Sequence, residues 1–358
     1  SDGLLYGTTI FGPGQFDTSG TVFRVRPDGS DYTVLFEFAE PDLVDALGNV
    51  FNSNGAYPSA ALIEGSDGNL YGVTRTGGEF GAGTVFRIAR NGSGFQTLHV
   101  FAEATQDELT QVITNEDGVS PQAALLEGVD GYFYGTTFTG GPNGTGTIFR
   151  PRFDGAGFEV IHHFSDTEPT DVALPANEEG AAPLAPLIDG GDGFLYGTAS
   201  QGGGTGNGTV FAVAPDGSVI TALHEFDFAD GSRPATGLTL GRDGKLYGTT
   251  FSGGTLDETT LNPVGTIFSI ARDGTGFATL HVFSGVDGAN PGGSLLQLSD
   301  DVFVGTIENG AECSQGAVYQ FSFSGATITD GSTDCGPKRK KSGGGSSGLW
   351  LLGLIALL

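Results

Sequence analysis

Several residue types are scarce in this chain, and each scarcity narrows its class. Lys and Arg number only 15 against 42 Asp and Glu, which gives a formal net charge of −27. Such a surface repels phosphate backbones, so we expect no nucleic-acid partner. No segment shows the 3.6-residue apolar period of an amphipathic helix, which argues against a helical fold. Met is absent, initiator included, so we expect an N-terminally trimmed chain.

Cysteine and long apolar runs are scarce as well. The two cysteines allow one disulfide, and we predict a Cys313–Cys335 bond that holds the end of the repeats in an exported protein. A free thiol pair is the alternative. The last ten residues, 349–358, form the longest apolar run of the tail, well below the roughly 20 residues that span a bilayer.

The chain is rich in one recurring unit, an Asp-Gly or similar turn followed by an aromatic residue and glycine. The aromatic residues of these units are Tyr6, Tyr71, Tyr134, Tyr196 and Tyr247, with Val304 in a degraded sixth copy. The shortest complete repeat is 51 residues long. A period of this size, built from short apolar segments, is typical of repeat architectures.

Two intervals inside the repeat never change. The step from a proline to the Tyr-Gly unit is always 13 residues. The step from the Phe of a Gly-Thr-x-Phe unit to the Phe that ends the repeat, which we call the closing Phe, is always 15 residues. The other two intervals vary in length. Insertions therefore enter each repeat at only two places, before the Gly-Thr-x-Phe unit and after the closing Phe.

Each repeat contains four short runs rich in β-branched and aromatic residues, separated by Gly, Asp, Asn and Pro. In the second repeat these runs are 60–63, 70–74, 84–88 and 97–101. Such runs predict strands, and the Asp-Gly and Asn-Gly pairs supply the positive φ angles of tight hairpins. The sequence therefore predicts an all-β protein of four-stranded antiparallel sheets, three strands falling in the first repeat.

Six such sheets in series predict a β-propeller over residues 1–334, with six repeats visible and seven or eight if the chain is a trimmed fragment. A linear β-solenoid is the alternative. In an up-and-down sheet, alternate connections emerge on the same side. The two places that accept insertions therefore share one face of the propeller, and we expect binding there.

The first three connections between repeats are long and acidic. Their candidate ligand-binding residues are Asp42, Asp45, Asp107, Glu108, Glu116, Asp166, Asp171 and Glu178. A solvated acidic surface is one interpretation, and a calcium- or polyol-binding rim is the other. No segment has the spacing of a twelve-residue calcium loop, so calcium is the only cofactor considered and its support is weak.

Other recurring residues are interpreted as structural. His99, His162, His224 and His281 share one repeat position that Phe36 fills in the first copy. Residues repeated in every sheet are spread out rather than gathered at one site. The tyrosines are interpreted as packing residues, with sugar stacking as the alternative, and the acid-or-amide–Gly–x–x–Pro segments as turns.

The unit Asp-Gly-x-Leu-Tyr-Gly-Thr-Thr, followed by Gly-Thr-Val-Phe and Leu-His-x-Phe, resembles the bacterial GloVer tandem-repeat family over residues 2 to about 330. That resemblance implies an exported or surface-displayed protein of a Gram-negative-type bacterium and no shared activity. Residues 335–348 are basic and then Gly/Ser-rich. This linker and the apolar segment 349–358 resemble a C-terminal sorting signal of the Gly-Gly type, the only part that we expect to meet a membrane, and a plain anchor is the alternative.

The function predicted from these features is non-enzymatic binding of an extracellular glycan or surface protein, by a monomer, through the variable loops. A propeller glycoside hydrolase or polysaccharide lyase using two carboxylates in the channel is the alternative, although no residue pattern selects a catalytic pair. A purely structural matrix component is the third hypothesis.

Overall fold

The computed structural model describes residues 2–12, 19–44, 50–167, 176–254, 264–285, 287–309 and 316–323. Within these ranges the regular structure is β-strand without α-helix. No described helix is therefore long and apolar enough to cross a membrane. Cys313, Cys335 and the predicted linker and apolar tail lie outside the described residues.

The strands are β1 Leu5–Thr9, β2 Thr21–Val25, β3 Thr33–Glu37, β4 Leu43–Val44, β5 Val50–Phe51, β6 Ile63–Glu64, β7 Asn69–Thr74, β8 Thr84–Ala89, β9 Gln96–Val100, β10 Thr105–Gln106, β11 Ile113–Thr114, β12 Val119–Pro121, β13 Leu126–Glu127, β14 Phe133–Thr139, β15 Thr147–Pro151, β16 Phe158–His163, β17 Asn177–Ala181, β18 Ile188–Asp189, β19 Leu195–Ala199, β20 Gln201–Gly203, β21 Thr209–Val213, β22 Ile220–Glu225, β23 Thr239–Leu240, β24 Leu246–Thr250, β25 Thr266–Ile270, β26 Ala278–Val282, β27 Ala289–Pro291, β28 Leu296–Ser299, β29 Val302–Asn309 and β30 Ala317–Ser322.

These strands form six repeated sheets with antiparallel pairing, which we number in chain order. Sheet 1 is β1-β2-β3 and sheet 2 is β6-β7-β8-β9. In sheet 3, β12 and β13 both pair with β14, followed by β15 and β16. Sheet 4 is β18-β19-β21-β22 and sheet 5 is β23-β24-β25-β26. In sheet 6, β27 and β28 both pair with β29, which pairs with β30.

The predicted all-β fold and the three strands of the first repeat are confirmed. The first strand of the second repeat is shorter than predicted, since β6 covers only Ile63–Glu64 instead of 60–63. Pro58 has no amide proton, and Tyr57 before it has a φ of 55°. This segment therefore begins outside regular strand geometry.

The apolar core lies between consecutive sheets. Along β7, Leu70 packs with Tyr6 and Val22 of sheet 1, whereas Tyr71 packs with Phe133 and Phe149 of sheet 3. This division follows from the alternation of side chains along a strand. Equivalent clusters join sheets 3 and 4, sheets 4 and 5 and sheets 5 and 6. Sheets 2 to 5 are thus buried on both faces, and the repeat is the unit of packing.

Two recurring glycines make this close packing feasible. A Cβ on Gly72, the glycine of the Tyr-Gly unit, would lie 2.7 Å from the Phe86 ring of the neighbouring strand. A Cβ on Gly83, which has a φ of 107°, would lie 2.5 Å from the Thr74 carbonyl oxygen and 2.7 Å from Cδ of Pro121 in the next sheet. Any residue with a side chain would therefore clash with its neighbours at both positions.

A repeated backbone hydrogen bond also joins each sheet to the next. The residue before each fixed proline has a positive φ and is not glycine. Its amide donates to a carbonyl oxygen of the preceding sheet over 2.8–2.9 Å. These five residues, which we call the pre-proline residues, are Tyr57, Ser120, Ala182, Arg233 and Asn290.

Two small hairpins, β4-β5 and β10-β11, and one two-stranded pair, β17-β20, add to the sheets. The hairpins and β17 lie in connections between repeats, whereas β20 lies in the connection between the second and third strands of sheet 4. These connections and the ones between the second and third strands leave the sheets on the same side, as strand parity requires. We call this side the variable side.

Candidate functional site: a cleft on the variable side

The described residues enclose a cleft of about 860 Å³ between sheets 3 and 4 on the variable side. Hairpin β10-β11 and the connection 142–145 form two of its walls, and Asp166 and Thr167 form part of a third. Phe138, Ala182 and Gln201 line it from the sheets. The volume lies in the usual range of small-molecule sites, roughly 300–1,000 Å³.

Hairpin β10-β11 is built around Asp107. The Asp107 amide donates to the Val112 carbonyl oxygen over 3.0 Å. One carboxylate oxygen accepts from the amides of Leu109 and Thr110 and from the Thr110 hydroxyl at 2.8–3.0 Å. The Thr110 amide and hydroxyl, and then the Leu109 amide, hold the pKa of Asp107 below its usual range. This carboxylate therefore shapes the wall of the cleft and stays ionised.

The opposite wall is fixed by hydrogen bonds to one carbonyl group. Asn143 Nδ2 and Thr145 Oγ1 both donate to the Phe164 carbonyl oxygen, over 2.8 and 2.7 Å. The Thr145 carbonyl oxygen accepts from the Ala182 amide of sheet 4 over 2.8 Å. The wall is thus attached to both sheets, and the cleft is a preformed feature of their junction.

Of the eight candidate acids, six belong to the described residues, and two of these line the cleft. Asp107 and Asp166 line the cleft. Asp42, Glu108, Glu116 and Glu178 are exposed elsewhere on the connections, whereas Asp45 and Asp171 lie outside the described residues. Among the described residues, no three His, Cys, Asp or Glu side chains form a metal-binding group. What lines the cleft is mainly Thr, Gln and Asn beside Phe138 and Pro142, a surface with hydrogen-bonding groups and an aromatic ring.

Each repeated histidine pairs with the acid of the following acid–Gly–x–x–Pro segment, a pairing that was not predicted from the sequence. Nε2 lies 2.8–3.2 Å from a carboxylate oxygen in His99–Asp117, His162–Glu179, His224–Asp230 and His281–Asp287. All eight side chains are largely buried, at most 29 % exposed. In the first repeat, where Phe36 replaces the histidine, Asn54 replaces the acid. The joint change of both residues in the first repeat is the sequence pattern that could have predicted the pairing.

The recurring tyrosines are held in the same way by the turns that precede them. The hydroxyls of Tyr6, Tyr71, Tyr134, Tyr196 and Tyr247 donate to the carboxylate of the aspartate four residues earlier, over 2.5–2.9 Å. Burial and then the aspartate hydrogen bond raise the pKa of Tyr196 to about 12. These tyrosines are therefore committed to packing and turn closure.

Solved structures share only distant similarity with this chain. A nidogen/laminin complex matches at 12% identity and a TM-score of 0.47, covering 91% of each chain. A putative 6-phosphogluconolactonase from Bacteroides fragilis matches at 14% identity and a TM-score of 0.44, covering 92% of this chain and 94% of the other. TolB from Acinetobacter baumannii matches at 12% and 0.47, covering 90% of this chain and 61% of TolB.

The comparison with curated proteins finds no match. A family model does match, in two blocks of the chain. The model is described as a Gloeobacter/Verrucomicrobia repeat, and it matches residues 1–113 and 170–334. Since these blocks cover well over half of the chain, the protein belongs to the Gloeobacter/Verrucomicrobia repeat family, which the sequence resemblance to GloVer repeats predicted.

Proposed function

We propose that this protein is an exported, surface-associated repeat protein that binds a carbohydrate, without catalysis, in the cleft between sheets 3 and 4. The observation that carries the proposal is the cleft lining, in which Thr, Gln and Asn side chains surround the partly buried ring of Phe138. Sugars present hydroxyl groups at their edges and C–H groups on their faces. Amides and hydroxyls match the first, and an aromatic ring matches the second.

The position of the cleft agrees with this role. Its walls come from connections whose length varies between repeats, while its base belongs to two packed sheets. Binding groups on loops that a rigid framework holds in place are the usual arrangement of recognition sites. A protein partner would instead be favoured by a flat apolar surface, and the cleft is concave and largely polar.

A glycan array with paired glutamine variants tests the proposal. Gln201→Ala removes an exposed amide that lines the cleft, and Gln320→Ala removes an exposed amide from β30 of sheet 6. Loss of one hydrogen-bonding group weakens binding by about fivefold to tenfold. We expect this loss for Gln201→Ala and none for Gln320→Ala. Equal binding by both variants would place the glycan elsewhere, and release of reducing ends by the wild type would indicate an enzyme.

We also propose that the six sheets are blades of a β-propeller. Each junction repeats the same apolar cluster and the same pre-proline hydrogen bond, so that each sheet is related to the next by a similar rotation. Leu5 and Phe23 are partly exposed on sheet 1, at positions that are buried in sheets 2 to 5. A closing sheet would pack on this face.

Ring closure can be tested by chemical cross-linking in a variant whose two cysteines are replaced by serine. Leu5→Cys and Val304→Cys occupy the repeat positions of Phe133 and Tyr71, whose rings meet between sheets 2 and 3. Facing sheets lie about 10 Å apart, which is too far for a disulfide but within reach of a short bismaleimide. A ring of six sheets predicts rapid intramolecular cross-linking. If no intramolecular cross-link forms, a seventh or eighth sheet separates sheets 1 and 6.

A further inference from the structure

We infer that Arg233, Phe251, Asn290 and Asn309, at the junction of sheets 5 and 6, form a second subsite, the Arg233 groove, in which Arg233 binds the carboxylate of an acidic sugar. The inference rests on the proposed glycan-binding function and adds to it the class of sugar and a residue that selects it.

Phe138, which lines the cleft, has an equivalent in this groove. In sheet 3, Ser120 lies opposite Phe138 in the β12-β14 register. In sheet 5, Arg233 lies opposite Phe251, whose amide donates to the Arg233 carbonyl oxygen over 3.0 Å. Phe251 is thus the equivalent of Phe138, and Arg233 replaces Ser120.

The facing sheets are equivalent as well. In sheet 4, Ala182 and Gln201 line the cleft, and Gln201 pairs with the residue before Ala182. In sheet 6, Asn290 and Asn309 hold the same relation. The groove therefore has an aromatic ring on one side and an exposed amide on the other, as the cleft does.

Contacts among these residues build the groove. Asn290 Nδ2 donates to the Phe251 carbonyl oxygen over 2.9 Å, which ties sheet 6 to sheet 5. Asn309 Nδ2 donates to Asn290 Oδ1 over 3.2 Å. An amide nitrogen carries two protons, so Asn309 keeps a second donor for a ligand.

Arg233 supplies the charge. Its guanidinium carbon lies 5.2 Å from the centroid of the Phe251 ring, and its side chain is exposed. Contact with an aromatic ring leaves the guanidinium N–H groups at the edge of the plane available for a bidentate carboxylate. Six other arginines of the described chain form ion pairs, whereas no described carboxylate lies within 4 Å of Arg233. The acid in sheet 6, Glu308, lies opposite Asn290 without pairing with Arg233.

The overall charge limits the ligand. A formal charge of −27 repels dense polyanions such as sulfated glycans or nucleic acids. A uronic acid carries one carboxylate per ring, and its ring has the hydroxyl groups that the amides of the groove match. A single guanidinium beside an aromatic ring is therefore suited to a uronate.

Calorimetry with trigalacturonate and its methyl ester tests the inference, because esterification removes only the charge. Arg233→Gln is the test variant, and Arg75→Gln is its matched control. Arg75 is exposed on the same side, without an ion pair to described residues or an aromatic ring under its guanidinium. Loss of the charged contact is expected to weaken trigalacturonate binding at least about tenfold in Arg233→Gln and less than about twofold in Arg75→Gln.

The ester should bind the wild type as weakly as the acid binds Arg233→Gln, and melting temperatures verify that both variants fold. Equal losses in both arginine variants, or equal affinity for acid and ester, would overturn the carboxylate subsite. Tighter binding of an oligoglutamate peptide than of trigalacturonate would assign the site to protein ligands instead. If neutral glycans bind and depend on Gln201 while trigalacturonate does not bind, only this inference fails. If no glycan binds, the proposed function fails with it.

Discussion

Replacing the His224–Asp230 pair by the Phe–Asn combination of the first repeat tests whether each histidine and acid form one structural unit. His224 Nε2 donates to an Asp230 carboxylate oxygen over 2.8 Å, and its ring stacks on Phe277 at 3.5 Å. The other Asp230 oxygen accepts from the Asp227 amide. In the first repeat, Phe36 stacks on Phe95 at 3.8 Å, and Asn54 accepts from a backbone amide in the same way.

The structure gives the size and sign of each effect. His224→Phe keeps the ring stack but leaves a largely buried carboxylate without its imidazole partner, which costs about 1–2 kcal/mol of unfolding free energy. Asp230→Asn keeps an acceptor for the Asp227 amide and exchanges a charged hydrogen bond for a neutral one, at about 1 kcal/mol. The double variant restores a matched pair. Its unfolding free energy should lie within about 0.5 kcal/mol of wild type, so the coupling energy is about 2–3 kcal/mol.

Urea denaturation of all four proteins at pH 7 measures this cycle. Hydrogen exchange of the Asp227 amide provides a local measurement, which matters because repeat proteins can depart from two-state unfolding. We expect faster exchange in His224→Phe and restored protection in the double variant. If the two single effects simply add in the double variant, the histidine and the acid act independently and the reasoning is refuted.

Further predictions concern packing and pH. Gly83→Ala should lower the unfolding free energy by about 3 kcal/mol or more, because the new Cβ would clash with the backbone of its own sheet and with the proline of the next sheet. Gly94→Ala, whose Cβ would have nothing within 4 Å, should lower it by no more than about 1–2 kcal/mol. Similar melting temperatures of the two variants would contradict this. Burial, followed by the aspartate hydrogen bond, raises the pKa to about 12 in four of the recurring tyrosines. Their contribution to the stability of the fold is therefore complete below about pH 10 and is lost as pH rises through about 12. Tyrosinate absorbance with an ordinary midpoint near pH 10 in the folded protein would contradict this. Burial acts to raise the pKa of three acids, but the nearby histidine and hydrogen bonds from neighbouring residues outweigh it and hold the pKa below its usual value in Glu179, Asp230 and Asp287. Their stabilisation is present above about pH 4 and is lost as pH falls through the lowered values, and acid unfolding that is unchanged when these acids are replaced by amides would exclude this contribution.

Most of the sheet architecture could be predicted from spacing, because invariant intervals correspond to invariant contacts. The 13-residue step runs from a proline to the tyrosine of the same sheet, and the 15-residue step joins strands of a tight hairpin. The bounds of the first strand were predicted less well. Positive φ at Tyr57 and its equivalents leaves no sequence pattern, since Tyr, Ser, Ala, Arg and Asn share no property that favours it.

The candidate site was harder to predict, because its parts meet only through tertiary packing. Charge density drew attention to acids of the long connections, of which Asp107 and Asp166 line the cleft. Phe138 and Gln201 were not predicted, since they occupy positions between the repeat landmarks where the residue type differs from one repeat to the next. The His–acid pairs were missed for another reason. Their separation ranges from 6 to 18 residues, so no fixed spacing reveals them, although the change of both partners in the first repeat does.

The pre-proline residues connect the fold with the proposed function. Their amides donate the hydrogen bond to the preceding sheet, and that bond does not depend on the side chain. A non-glycine residue in the left-handed region costs about 1–2 kcal/mol, which glycine would avoid. The chain uses glycine at most of its positive-φ positions but at none of these five. Three of the five, Ala182, Arg233 and Asn290, belong to the cleft and the Arg233 groove. A position whose backbone is fixed and whose side chain is free can change its chemistry without altering the sheets, and this is where we expect related repeats to differ when their ligands differ.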